Sequence, residues 1–355
     1  MRLTGDYNCM NCLSRILIIR FSSLGDIVLT TPFIRALKQR FPSSTIDYVA
    51  KEEYVPLIAH DPGIDHVYFA RSCDGFKGLL ALAKKLRRAQ YDHVFDLHNN
   101  LRSRMLRTLL AAPSSSIRKE NLKKFILVSF HKNLFKETVP VPERYARTAT
   151  VFGVRLDESG PTIHVPSHVY QRAIRILESE QARSSDRSIA LCPGARHFTK
   201  KWPLEKWIEL AGLLLENKDT RIHLFGSKDE SSCCDEIQRA YPDVISSFCG
   251  KLSLLETAAG LADCDAAVTN DSGLMHLATA VNVPVVSIFG STVREFGFFP
   301  YRSRAVVVEK DDLSCRPCTH IGRKRCPRGH FACLNDITPR TIVQAIDDLL
   351  KPDSH

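Results

Sequence analysis

Three turns in this chain carry side chains that could do chemistry. Ser-Ser-Leu-Gly-Asp at 22–26 ends in Asp26, Pro-Gly-Ala-Arg-His-Phe-Thr-Lys-Lys-Trp-Pro at 193–203 presents Lys200 and Lys201, and Ala-Ala-Val-Thr-Asn-Asp-Ser-Gly-Leu-Met-His spans 266–276. In the last, a short apolar strand breaks at a polar turn and restarts as a helix near Ser272. Asn270 or Asp271 can cap that helix, and Gly273 lets a ligand approach backbone N–H groups that the first helical turn leaves unpaired. Such a place suits a phosphate. An ordinary N-cap on a crossover helix would look the same in isolation, so the remaining elements must decide.

Those elements alternate β and α. Residues 16–20 form an apolar strand whose turn leads into a helix reaching about Phe41. Further strands are expected at 45–50, 66–69 and 93–97, with a helix at 76–89. The turn at 22–26 holds one glycine, so the G-x-G-x-x-G dinucleotide fingerprint is absent. After Asp96 comes Leu-His-Asn-Asn-Leu-Arg-Ser-Arg, with Arg102 and Arg104 near the mouth of another strand-to-helix turn. A polar stretch at 155–168 with Gly160, Pro161 and Pro166 reads as the interdomain linker. Beyond it a helix is expected at 168–181, strands at 189–192, 221–225, 266–269 and 285–289, and a helix from Leu204 to Leu215 after Pro203. Right-handed βαβ crossovers should gather the polar turns after these strands on one edge of the second sheet.

At 355 residues the chain exceeds one ordinary domain, and 44% hydrophobic with 25% charged residues is a globular balance. A net charge of +10 suggests an anionic partner: nucleic acid, phosphorylated glycolipid, membrane surface or nucleotide. The apolar run Ile16 to Ile19 is too short for a signal-peptide core or a membrane span, so a soluble cytoplasmic protein without a transmembrane segment is expected. The twelve cysteines read as buried thiols plus a candidate metal site rather than a disulfide framework.

Taken together, Ser-Ser-Leu-Gly-Asp (22–26), Asp-Leu-His-Asn-Asn-Leu-Arg-Ser (96–103), Pro-Gly-Ala-Arg with Lys-Lys-Trp-Pro (193–203) and Asn-Asp-Ser-Gly-Leu-Met-His (270–276) resemble glycosyltransferase family nine, the ADP-heptose:lipopolysaccharide heptosyltransferases. The match runs in order from about Arg15 to Leu350. The resemblance implies an α/β GT-B architecture, two Rossmann-like domains with parallel sheets facing a central cleft. The boundaries expected are a polar tail over 1–14, an acceptor domain over 15–160, a nucleotide-sugar donor domain over 166–336, and a helix over 337–355 that could cross back to the first domain. It further implies inverting, metal-independent transfer of a heptose from an ADP-sugar donor to an anionic glycolipid, the inner core of lipopolysaccharide, at the cytoplasmic face of the inner membrane.

The residues fit that chemistry on their own terms. Displacing a nucleoside diphosphate from a sugar carbon needs a base for the acceptor hydroxyl and positive charge or N–H dipoles for the departing phosphate. Asp26 matches the family's base, though it could equally stabilise the first turn of its helix. Lys200, with Lys201 as rival, would hold the phosphates as a point charge. Ser272 and Gly273 N–H groups should meet the diphosphate, Asp271 should cap the helix or accept from a ligand hydroxyl, and His276 could reach phosphate or sugar. Gly194, Arg196 and Thr199 complete the expected donor loop, and Asp229 or Glu230 is the candidate acid for the ribose. Ser22, Ser23, Arg102 and Arg104 are the expected acceptor contacts, with Arg118, Lys119, Lys123 and Lys124 extending the basic patch.

This chain departs from the family at Ala195 and Arg196, where some members carry hydroxyl residues, and at Lys228 in the ribose segment. Cys315, Cys318, Cys326 and Cys333, with His320 and His330 nearby, have the ligand types for a structural zinc or cluster, although the second half lacks close C-x2-C spacing. Similar cysteine-rich segments occur in the heptosyltransferase II branch. The alternatives are a family-nine transferase using another nucleotide sugar, a sugar-nucleotide epimerase, or a basic nucleic-acid-binding protein. Against the last stand the absence of a zinc-finger repeat or RNA-binding signature and only 8% aromatic residues.

Overall fold

The computed structural model describes residues 12–71, 74–180 and 187–351. Most of the tail expected over 1–14 and the extreme C-terminus therefore lie outside the described residues. Two parallel sheets organise the chain. The first has the order β3-β2-β1-β4-β5, with β1 Arg15–Ile19, β2 Thr45–Lys51, β3 His66–Ala70, β4 His93–Asp96 and β5 Ser114–Ser116. The second has the order β11-β10-β9-β6-β7-β8, with β6 Arg187–Cys192, β7 Thr220–Leu224, β8 Ile245–Ser247, β9 Ala266–Asn270, β10 Val285–Phe289 and β11 Ala305–Glu309. The central strands β1, β4, β6, β9 and β10 are buried almost end to end. Both faces of a parallel sheet are covered by helices, and the near-continuous Ile, Leu, Val and Ala runs follow from that.

In each sheet the strand order reverses once, between β1 and β4 in the first and between β6 and β9 in the second. Ligands in open parallel sheets bind outside the carboxyl ends of the strands at such a reversal. The topology thus singles out the turns after β6 and β9, which hold Lys200 and Asp271, before any side chain is considered.

The chain forms two compact units. The first draws on Met1–Ser22, Thr30–Lys119 and Pro142–Asp157, and the second on Ser23–Leu29, Glu120–Val141 and Glu158–His355. This differs from the contiguous first domain expected over 15–160. The single helix expected up to Phe41 is two helices, Leu24–Val28 and Thr31–Arg40. Pro32 sits in the first turn of the second and has no N–H to carry the ladder back to Val28. The short first helix packs with Gly273–Ala280 in the second unit. Residues 120–141 join it as well, through the Val141 N–H donating to the Gly297 carbonyl at 3.0 Å and Asn133 Nδ2 donating to Glu295 at 2.9 Å.

The C-terminal helix, Pro339–Leu350, which could have crossed back to the first domain, packs in the core of the second unit. Ile342, Ile346 and Leu349 are buried in the second unit's core with Trp202, Trp207, Leu210 and Leu334. Its amphipathic face is used up on the sheet it follows. Cys234 and Cys249 form a disulfide in that core, where only free thiols were expected.

Candidate active site

The turns after β6 and β9 are tied together by one side chain. Asn270, fully buried at the end of β9, accepts from the Trp202 N–H at 3.0 Å and donates Nδ2 to the Pro193 carbonyl at 2.7 Å. It satisfies the backbone of the 193–202 loop and does not cap a helix. The cap position is Ser272, extended at φ −144° and ψ 175°, ahead of the helix Gly273–Ala280. Trp202 anchors the far end of the loop, donating Nε1 to the Leu334 carbonyl at 3.1 Å and meeting Trp207 edge-on.

The anchored loop delivers Lys200 to Asp271, Nζ to Oδ2 2.7 Å, with both side chains largely buried. Lys201 is exposed. Of the two lysines, Lys200 is the one this pair holds at the end of β9. Asp271 Oδ2 also accepts from Thr292 Oγ1 at 2.6 Å, and the N-cap position of the following helix falls to Ser272. Behind Thr292, the Arg316 guanidinium donates to its carbonyl at 2.7 Å and pairs with Glu309. A charge-assisted chain therefore runs from Arg316 through Thr292 and Asp271 to Lys200.

Thr199, expected among the donor contacts, faces inward. Its Oγ1 is 3.1 Å from Ser291 Oγ and accepts from the Arg323 N–H at 2.9 Å, while its own N–H donates to the Arg323 carbonyl. With Phe198 stacked on Phe331 at 5.0 Å, the cysteine-bearing segment clamps the lysine loop. Arg196 is exposed on that loop.

Asp26 and His276 meet where two helices cross. A Cβ placed on Gly25 would lie 2.5 Å from His276 Cδ2, and one on Gly273 would lie 2.7 Å from Leu24 Cδ2. Both glycines allow the close approach of the helices, with Leu24 filling the Cβ direction of Gly273. Asp26 Oδ2 accepts from Ser23 Oγ at 2.7 Å and from the Ser23 N–H at 3.2 Å. Ser23, expected to contact an acceptor, orients the carboxylate. His276 is buried, and its pKa is lowered to about 4, chiefly by burial. The Asp271 and Asp26 carboxylates oppose this and Lys200 adds to it. Its Nδ1 and the Ser272 Oγ are both shielded from solvent without a hydrogen-bond partner. Buried polar atoms in that condition are uncommon, and here two of them flank a helix N-terminus.

In the turn after β7 the two candidate acids differ in placement. Asp229 is exposed, whereas the Glu230 carboxylate accepts from Ser227 N and Oγ and lies where a Cβ on Gly194 would have to go. In the first unit, Ser22 follows β1, and Asp96 at the end of the adjacent β4 is fully buried, accepting from the His98 and Asn99 N–H groups and Ser103 Oγ. That turn starts the helix Leu101–Leu110, which carries Arg102 half-buried and Arg104 exposed, the latter donating Nε to Asn99 at 2.8 Å.

The expected structural metal is not supported. Among the described residues no three His, Cys, Asp or Glu side chains are grouped to hold a metal ion. Cys333 is buried in the apolar core, which raises its thiol to about 12, and burial raises Cys318 as well.

Two parallel sheets with a charged cluster at a strand-order reversal are the form of a GT-B glycosyltransferase, and solved structures share it. The family 9 glycosyl transferase of Veillonella parvula superposes with a TM-score of 0.80 at 24% identity, covering 95% of this chain and 97% of that one. The Escherichia coli ADP-heptose lps heptosyltransferase II gives 0.74 at 26% identity over 95% and 98%. Lipooligosaccharide heptosyltransferase 2 of Haemophilus influenzae is 28% identical over 94% of this chain and 99% of its own. Residues 79–327 match the model of glycosyltransferase family 9 (heptosyltransferase), and the chain belongs to that family. It is therefore an enzyme of glycosyl transfer, the reading preferred above to an epimerase or a nucleic-acid-binding protein.

Two predictions follow from the cluster. Unfolded histidine titrates near 6.5 and folded His276 near 4, so between those values the unfolded chain holds a proton that the native state refuses. Stability from this group is complete above pH 6.5 and is lost as pH falls toward 4, on the order of 3 kcal/mol in all. Urea unfolding at pH 7 and pH 5 should show the loss, and His276→Gln should reduce it; an unchanged pH dependence in the variant would contradict the assignment. Thr292→Val removes one donor from the buried Asp271 carboxylate, costing about 1.5–3 kcal/mol. Glycosyl transfer should slow about tenfold as Asp271, the partner of Lys200, loses one of the groups that fix it, and steady-state kinetics equal to wild type would show that Thr292 positions nothing.

Proposed function

We propose that this enzyme transfers a heptose from an ADP-heptose donor to the inner core of lipopolysaccharide, with inversion and without a catalytic metal, at the cytoplasmic face of the inner membrane. The donor and acceptor classes are those for which its relatives are named, ADP-heptose and lipopolysaccharide or lipooligosaccharide. The observation that carries the reading is the Lys200–Asp271 pair at the reversal between β6 and β9, in one electrostatic cluster with Asp26 and His276.

In this mechanism Asp26 takes the proton of the acceptor hydroxyl as that oxygen attacks the anomeric carbon. The bond from that carbon to the diphosphate oxygen breaks, and one in-line displacement inverts the centre. Charge growing on the leaving diphosphate meets the Lys200 ammonium and the N–H groups at the start of the helix Gly273–Ala280. Asp271 keeps Lys200 extended into the site. Lys200 can supply the stabilisation a Lewis acid otherwise would, which is the ground for a metal-independent step. In this reading Glu230 takes the ribose, and Ser22, Arg102 and Arg104 take acceptor anions, arginine gripping phosphate or carboxylate bidentately.

A panel of nucleotide sugars offered with truncated lipopolysaccharide acceptors tests the substrate reading, and transfer from a donor other than ADP-heptose would replace it. Asp26→Asn should keep donor binding and lose at least ~10²-fold in turnover. Lys200→Ala should weaken both, because phosphate charge is present in the ground state and grows at departure. Near-normal turnover in Asp26→Asn would remove Asp26 as the base.

A further inference from the structure

Exposed apolar side chains cluster in one place that the transfer site does not use. Leu122 (71%), Phe125 (58%), Phe130 (63%) and Leu134 (49%) lie on or just after the helix Asn121–Phe130. Helical spacing puts Leu122, Phe125 and Ser129 on one face with Phe130 beside them, while Leu127 on the opposite face is buried. The Phe125 and Phe130 rings meet edge-on at 6.2 Å, so the patch is continuous.

Its surroundings are basic. From Arg118 to Lys136 the sequence holds six lysines and arginines and one acid, Glu120. Lys123 on the helix flank pairs with Glu120 at 2.6 Å and stands 5.5 Å over the Phe135 ring, while Lys132 and Lys136 are exposed beside Leu134. Apolar side chains rimmed by cations match the interface of an anionic leaflet, where rings enter the acyl boundary and lysines meet headgroups. Ten residues make a helix of roughly 15 Å, too short to cross a bilayer but long enough to lie in its surface.

We propose that Leu122, Phe125, Phe130 and Leu134, with Lys132 and Lys136, form a docking face for an anionic lipid bilayer. The choice of a bilayer over other apolar partners rests on the glycolipid acceptor proposed above. The face would hold the enzyme at the surface where that acceptor is anchored, separately from the groups that carry out transfer.

Co-sedimentation with vesicles free of glycolipid tests this. Full-length wild type should partition about tenfold more strongly into phosphatidylglycerol–phosphatidylethanolamine vesicles than into phosphatidylcholine vesicles. Phe125→Asp with Phe130→Asp should lower that partitioning about tenfold, and Lys132→Glu with Lys136→Glu should erase the preference for anionic lipid. Both double variants should transfer to a soluble, acyl-free acceptor at the wild-type rate, which also shows that they fold. Partitioning unchanged in either variant, or equal for the two vesicle types, overturns the proposal. So does a wild-type dimer that the phenylalanine variant dissociates, since the face would then be covered by a second copy. Absence of transfer to the soluble acceptor by every form, wild type included, would count against the proposed function and leave the vesicle result to decide the docking face.

Discussion

A largely buried carboxylate must be paired, and at Asp271 that requirement shapes everything around it. Leaving a charge uncompensated in such a place costs several kcal/mol, of the order of 3–5 when one partner of a buried pair is removed. Lys200 and Thr292 both converge on one Asp271 oxygen. Meeting the constraint fixes the loop after β6, the turn after β10 and the segment bearing Arg316 relative to β9. The ion pair thereby sets the position of a lysine that would otherwise sweep a wide arc on its flexible stem.

Asn270 performs the same kind of service for the backbone. Its amide satisfies a carbonyl and an N–H of a loop that crosses the strand ends, and buried peptide groups without partners are rarely tolerated. The Asn-Asp pair is thus spent on internal satisfaction, one residue for the loop and the other for its lysine. Among their neighbours, Ser272 Oγ and His276 Nδ1 are buried without hydrogen-bond partners.

Much of this was legible in the sequence. The apolar runs at β1, β2, β4, β6, β7, β9 and β10 locate the sheet centres to within a residue or two, because strands buried on both faces must be continuously hydrophobic. β5 and β8, three residues each, carry no period long enough to read, and β11 at the far edge was also missed. The turns that bring Lys200, Asp26 and His276 into one electrostatic cluster were identifiable. The roles of Thr199, Ser23 and Asp271 were not, since a hydroxyl or carboxylate in a turn does not reveal whether it faces a ligand or another segment 20 or 120 residues away. Arg316 gave no signal at all: its task depends on a contact with Thr292 that only the folded chain creates.

The neutral His276 has one more consequence. Around it stand two carboxylates and one ammonium, so a diphosphate seated at the neighbouring helix start would add negative charge beside an imidazole kept unprotonated by burial. Such an anion raises the ring's affinity for a proton. Reciprocity of coupled binding then requires a proton on the ring to raise the affinity for the anion. Donor and hydrogen ion would then reinforce each other's binding in the acid range where the ring begins to take up a proton.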